Sequence, residues 1–295
     1  MDKKILESYK KAGKINSQVR EEVLKMVRPG MKILDLAEFI EKRIEEIGGK
    51  PAFPVNIGIN EVTAHYTPSA SDKTEIKKGD LVKIDVGVHV DGYVADHAFT
   101  YCSEKNGMIE VAEKALEAGI SVIKPGVRVT EISKAINGVV EKAGLGVVIN
   151  LTGHGLEQYV IHGPPKIPNV GNDSGEILDE GMVVAIEPFV LESNGIVKDS
   201  EPVEIFSFMQ TRPVRLPEAR KILDMAGNEY NGLPFCKRWM VKKGFSPFKT
   251  SFALKQLETV DAMKGYPVLK ESRGKPVAQA EHTVIVGNPS VVTTR

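Results

Sequence analysis

The chain has little cysteine: Cys102 and Cys236 are the only two in 295 residues, and no CxxC spacing occurs. A disulfide framework and a thiolate zinc site are therefore excluded. Neither charge is in excess, since 39 basic and 39 acidic residues leave a net charge of +0. Without an overall positive field, nucleic-acid binding is not expected. No apolar run reaches the ~18 residues of a membrane-spanning helix. The opening stretch, MDKKILESYKKAGKINSQVREE, is too charged for a signal peptide. The expectation is a soluble, cytoplasmic protein, long enough for a large core in two halves or in one α/β domain.

Against that background one stretch stands out. KIDVGVHVDGYVADHAF, residues 83–99, reads as a β-hairpin turning at Asp91-Gly92. That turn pairs Val90 with Tyr93, Gly87 with Asp96 and Asp85 with Ala98. Side chains alternate along a strand, so Asp85, Gly87, His89, Asp96 and Ala98 share one face. Ile84, Val86, Val88 and Val90 point the other way, into an apolar layer. Asp85 and Asp96 become diagonal neighbours, roughly 6–8 Å apart at Cβ, with Gly87 leaving the space between them open. Two such carboxylates repel unless a proton or a cation lies between them. On the hairpin alone, a pair of solvated edge-strand aspartates fits equally well. His97 falls on the opposite face, as a packed side chain. His89 shares the aspartates' face but lies about 13 Å along the strand from Asp85, too far to join them.

An internal repeat sets the layout. RPGMKILDLAEFIEKRIEEIGG begins at Arg28, and KPGVRVTEISKAINGVVEKAGL begins at Lys124. In each, apolar residues spaced by three or four mark an amphipathic helix that a glycine ends. KGDLVKID and EGMVVAIE then place Asp85 and Glu187 at the same interval after Gly79 and Gly181. Two helix-plus-strand halves related by a pseudo-twofold would cover one sheet and bring both acids to its centre. From about Ser207 to Ala262 the pattern turns helical, and strand character returns at VAQAEHTVIVG. Residues 207–262 read as an inserted helical subdomain, leaving 1–206 and 263–295 as the main domain. Its basic residues Lys237, Arg238, Lys242 and Lys243 read as a solvated face.

Three more donors complete the set. His154 lies in LTGHG between two glycines, which permit close approach of a ligand. Glu187 ends VVAIE. Glu281 shares a strand face with Gln279 and Thr283, which puts His282 on the other. Four carboxylates and one imidazole suit Mn²⁺, Fe²⁺, Co²⁺ or Zn²⁺. Four negative charges exceed what one divalent ion balances, whereas two ions about 3.5–4 Å apart satisfy them and hold a water that ionises near neutral pH. A nearby carboxylate can take its proton.

Asp85 and Asp96, followed by NLTGHGLEQYVIH, AIEPF and AQAEHT, resemble the methionine aminopeptidases over essentially the whole chain. NEVTAHYTP, HGLEQYVIH and the insertion are similar to the type II branch. The resemblance implies an α/β (α+β) pita-bread fold, a curved antiparallel sheet under repeated helices. It implies two divalent ions, with Asp85 a terminal ligand, Asp96 and Glu281 bridging, and His154 and Glu187 on the second ion. Glu187 would act as general acid/base, and His65 and His162 would contact the substrate. A histidine at the scissile carbonyl can donate to the developing oxyanion. Phe53, Ile161 and Tyr266 would line a methionine pocket. The implied reaction is attack of a bridging hydroxide on the first peptide bond, removing initiator methionine before a small second residue. The partners would be peptides and nascent chains beginning with Met, acted on by a monomer near the ribosome.

Two departures accompany the likeness. Ser207 stands where eukaryotic relatives have a pocket histidine, and their charged N-terminal extension is absent, leaving no visible handle for ribosome docking. The five donors and their order are shared with X-Pro dipeptidases and aminopeptidase P, which usually carry a separate N-terminal domain. A non-catalytic relative would keep the fold and lose the donors.

Overall fold

Residues 1–171 and 175–295 are described by a computed structural model. Two helix pairs carry the repeat: α1 (Lys3–Met26) with α2 (Ile33–Glu46), and α3 (Gly107–Ser121) with α4 (Val129–Lys142). Asp2 caps α1 by accepting from Lys4 N at 2.8 Å, and Asn106 caps α3 by accepting from Met108 N at 2.9 Å. Each satisfies an N–H that the first helical turn leaves free. On α1 the buried residues Ala12, Ile15, Val19 and Val23 recur every three or four positions and pack on the hairpin.

The pseudo-symmetry reaches the backbone hydrogen bonds. Gly30 N donates to Ile76 O and Gly126 N to Leu178 O, both at 2.8 Å. Ile33 N donates to Thr74 O at 3.1 Å and Val129 N to Glu176 O at 2.9 Å. Gly30 and Gly126 both have φ +85°, a conformation that disfavours any side chain.

Strands Val82–Val90 and Tyr93–Tyr101 form the hairpin in the expected register, with Gly87 opposite Asp96 and Asp85 opposite Ala98. Asn56–Ile59 and Lys50–Pro51 also pair with the first of them. In the second half, five strands run in the spatial order Val291–Val292, His282–Ile285, Val183–Ile186, Thr152–Glu157, Val160–Pro168. A seam of side-chain and backbone bonds joins the halves. Thr283 Oγ1 accepts from Asp96 N at 2.7 Å and donates to Asp96 O at 2.8 Å, and Glu281 N donates to Ala98 O at 2.8 Å. Thr100 Oγ1 makes the same two-way connection with the backbone of Gln279, at 2.7 and 2.8 Å.

Between residues 209 and 262 lie α5 (Pro217–Asn228), α6 (Lys237–Lys242) and α7 (Pro247–Thr259), packed around Phe206, Phe235 and Met240. Strand structure extends further than the sequence pattern indicates. Val197–Phe208 continues past Ser207, and it pairs with a strand at Met263–Glu271, well before Val277. Of the insertion's basic residues Lys242 and Lys243 are exposed, as a solvated face would have them, but Arg238 and Lys237 are drawn inward. Arg238 is 1 % exposed and bound to Glu41, and Lys237 donates to Val203 O at 2.6 Å. A fixed carboxylate on α2 draws the guanidinium inward.

Candidate active site

The hairpin and the second-half strands deliver their acids to one cavity of about 820 Å³. Asp85 and Asp96 come from the hairpin, and His154 from the Thr152–Glu157 strand. Glu187 follows Val183–Ile186, and Glu281 lies between Ala278–Gln279 and His282–Ile285. All five line the cavity, and so do Phe53, His65, Ile161, His162 and Tyr266. Ser207 is buried behind them, its hydroxyl 3.1 Å from the Tyr266 hydroxyl.

His154 Nε2 lies 3.5 Å from Glu187 Oε1 and 3.9 Å from Asp96 Oδ2. One ligand atom each from Asp96, His154 and Glu281 falls within 4.8 Å of the others. Asp96 is 3 %, Glu281 2 % and His154 6 % exposed, so these charges are withdrawn from water. Burial raises Asp85 to about 7, opposed by its hydrogen bond with Asp96. Asp96 is raised well above the ordinary carboxylate range by burial, then by repulsion from Asp85 and Glu187. Glu187 and Glu281 are raised for the same reasons. Burial lowers His154 to about 4, which keeps its imidazole neutral and able to act as a ligand.

The site's donor chemistry fits divalent metal. Asp85 Oδ1, Asp96 Oδ1 and Glu281 Oε1 are buried and have no hydrogen-bond partner among the described residues. No lysine or arginine among them forms an ion pair with the four acids. Buried carboxylates without partners are costly, and a cation is what their arrangement lacks.

The remaining histidines divide as the strand faces dictate. His97 is 2 % exposed and packs against His282, with ring centroids 4.7 Å apart, on the far side of the sheet. His89 Nδ1 accepts from Gly92 N at 3.1 Å, closing the hairpin turn. In the cavity, His162 stands edge-on to His154 at 4.7 Å, and His65 edge-on to Tyr266 at 5.5 Å.

Two features escape a reading of the sequence. The space beside Gly87 is not open: a Cβ there would lie 2.2 Å from Cε1 of Phe53, so the glycine makes room for that ring. Asn169 donates to Leu151 O at 3.3 Å and Glu187 O at 3.2 Å, fastening the Glu187 backbone beside the segment that leads to His154. Neither could be found from strand alternation, because each joins segments remote in sequence. A polar residue directly after Pro168 is the one local sign, and it belongs to the second feature alone.

Comparison with known proteins agrees with this arrangement. Residues 7–233 match the model of metallopeptidase family M24. The chain is 47% identical over 284 residues to the methionine aminopeptidase of Thermococcus onnurineus, covering 95% of this chain and 96% of that protein. A crystal structure of methionine aminopeptidase from Thermotoga maritima, 24% identical, superimposes with a TM-score of 0.73, covering 100% of this chain and 98% of the other. A thermophilic Arx1, 20% identical, gives 0.86 and covers 99% and 91%. These likenesses show the pita-bread fold, with its curved antiparallel sheet under paired helices. With its buried acids and histidine, its helix-paired halves and the family match over most of its length, the chain belongs to metallopeptidase family M24.

Proposed function

We propose that this chain removes N-terminal methionine from peptides and nascent proteins in the cytoplasm, as a monomer, when the second residue is small. The observation that carries the metal chemistry is the set of oxygens on Asp85, Asp96 and Glu281, without a partner among the described residues, around neutral His154. The methionine preference is supported by likeness to the Thermococcus onnurineus enzyme along nearly the whole chain. Asp85, Asp96, His154, Glu187 and Glu281 would hold two divalent ions, of Co, Mn, Fe or Zn. Bound there, such ions supply Lewis-acid polarisation and a water acidic enough to ionise near neutral pH. Residues 207–262 form a helical subdomain inserted in the catalytic domain of 1–206 and 263–295.

The chain's own residues do the rest. Glu187, on the cavity wall beside His154, would take up a proton and return it to the leaving amine. Phe53, Ile161 and Tyr266 give an apolar wall for an unbranched thioether. His65 Nδ1 lies 3.3 Å from Pro267 O, and a carbonyl only accepts, so Nδ1 carries the hydrogen. Burial lowers His65 to about 4, so the ring stays neutral and Nε2 is a bare acceptor. His65 therefore accepts from a substrate N–H, and the oxyanion-donor role falls to His162.

The test is methionine release from Met-Ala-Ser beside arginine release from Arg-Pro-Pro, using chelator-stripped protein with Mn²⁺ or Co²⁺ restored. Metal-dependent release of methionine alone is expected. Cleavage of the proline peptide instead would move the chain to the X-Pro branch. Silence on both, with folded and metal-loaded protein, would overturn the enzymatic reading.

A further inference from the structure

Outside the metal-ligand cluster, a largely buried set of charged and polar contacts connects the insertion to the cavity wall. Arg238, the second residue of α6, is 1 % exposed, and Glu41 on α2 is 6 % exposed. Arg238 Nη1 donates to Glu41 Oε2 at 2.6 Å and Nη2 to Glu41 Oε1 at 2.7 Å, a two-pronged fit of guanidinium to carboxylate. Trp239 Nε1 adds a third bond to Glu41 at 2.9 Å.

The outer contacts of this node reach two segments that face the substrate cavity. Arg238 Nε donates to Pro68 O at 3.0 Å, and Nη2 to Thr67 Oγ1 at 3.3 Å. These residues lie just after His65. Glu41 Oε1 also accepts from Val55 N at 3.4 Å, two residues beyond Phe53. His65 itself has φ +61°, in the left-handed region. A non-glycine residue stays there only where its surroundings hold it. Its chain neighbour Tyr66 accepts from Ile57 N at 2.7 Å, which couples the His65 and Phe53 segments.

We propose that Arg238, through Glu41, is a positioning residue by which the helical insertion fixes the His65 and Phe53 walls of the substrate cavity. Arginine suits the task better than lysine, because one rigid fork reaches a carboxylate, a hydroxyl and a carbonyl together. The inference rests on the reading of His65 and Phe53 as substrate contacts.

The test pairs two variants with a His65→Ala background. Arg238→Met with Glu41→Leu removes both charges together, which leaves no unpaired buried ion. Arg238→Lys keeps the charge and drops the fork. On metal-loaded protein, the double replacement is expected to lower kcat/KM on Met-Ala-Ser by about tenfold to 100-fold, as a misplaced substrate contact does. In the His65→Ala background the same replacement should cost clearly less, because only the Phe53 contact is left to misplace. Arg238→Lys should repeat the pattern at smaller size. Equal losses in both backgrounds, or full activity of the folded double variant, would overturn the proposal. Hydrogen exchange decides independently of activity: amides of residues 53–67 should exchange faster in the double variant, and unchanged protection would also refute it. If the wild type releases no methionine, the substrate reading fails by itself, while the exchange result still judges the anchoring.

Discussion

Two groups of buried charge lie in one molecule and are built on opposite terms. Around Glu41 every strong acceptor is matched, by the two prongs of Arg238 and by Trp239 Nε1. At the sheet centre Asp85, Asp96, Glu187 and Glu281 converge with no cationic side chain paired to them, and three of their oxygens have no partner among the described residues. The first group is internally neutral and holds the fold. The second gathers four acids with no counter-charge of its own, a cost that a bound cation would offset. Burial alone does not distinguish a functional carboxylate; the missing counter-charge does.

The contrast can be broken most severely at its functional end. Glu281→Gln should lower methionine release on the order of 10³-fold or more. It should also leave the metal-free protein at least as stable as before, since one of four repelling charges is gone; steady-state kinetics and a denaturant melt check both halves. Glu41→Ala should do the reverse to stability, because Arg238 would be buried without its partner. A loss of about 3–5 kcal/mol is expected in urea titration, whereas replacing both partners should be close to neutral.

Metal itself separates the two groups. Adding Mn²⁺ at about 100 times its Kd should raise the unfolding free energy by about 2.7 kcal/mol, visible as a higher Tm that chelator reverses. The Glu281→Gln protein should show a much smaller rise. Gly87→Ala should cost about 1–3 kcal/mol through overpacking against the Phe53 ring, and it should raise KM more than it lowers kcat.

The smallest effect is a pH dependence. In metal-free protein Asp85 is raised to about 7 and Asp96, Glu187 and Glu281 lie well above their ordinary values. The folded state therefore binds more protons than the unfolded chain, whose carboxylates titrate near ~4. Stability from these groups falls as pH rises through their folded values. The buried His154 and His89, both lowered to about 4 by burial, act oppositely, but only below their ordinary 6.5. As pH rises above ~6.5, through the value of about 7 to which Asp85 is raised, metal-free protein should lose Tm while the metal-loaded form holds steady, read by scanning calorimetry.

Much of the central arrangement is legible in the residues because local rules set it. The Asp-Gly turn and strand alternation put Asp85 and Asp96 on one face in the register observed. The repeat of Pro-Gly, helix and terminal acid predicts two halves meeting at a sheet. The Glu41 node is illegible for the opposite reason. Its partners are 197 positions apart, and Arg238 sits in a run of lysines that resembles any exposed helix. Met263–Glu271 escapes too, since MKGYPVLKE gains its strand character from pairing with Val197–Phe208 rather than from its own composition. Phe53 over Gly87 is likewise a tertiary fact, which a glycine alone cannot announce.

The cavity's acids and histidine are spread from Asp85 to Glu281, on strands of both halves, with the insertion lying between Glu187 and Glu281. Protein synthesis proceeds in one direction, so a growing chain holds four of the five donors long before it holds the last. Seam bonds from Thr283 to Asp96 and from Glu281 to Ala98 also wait for that final strand. On the proposed reading, a copy that ends before Glu281 lacks both a metal donor and the seam between the halves, so its peptidase chemistry would wait for the end of translation.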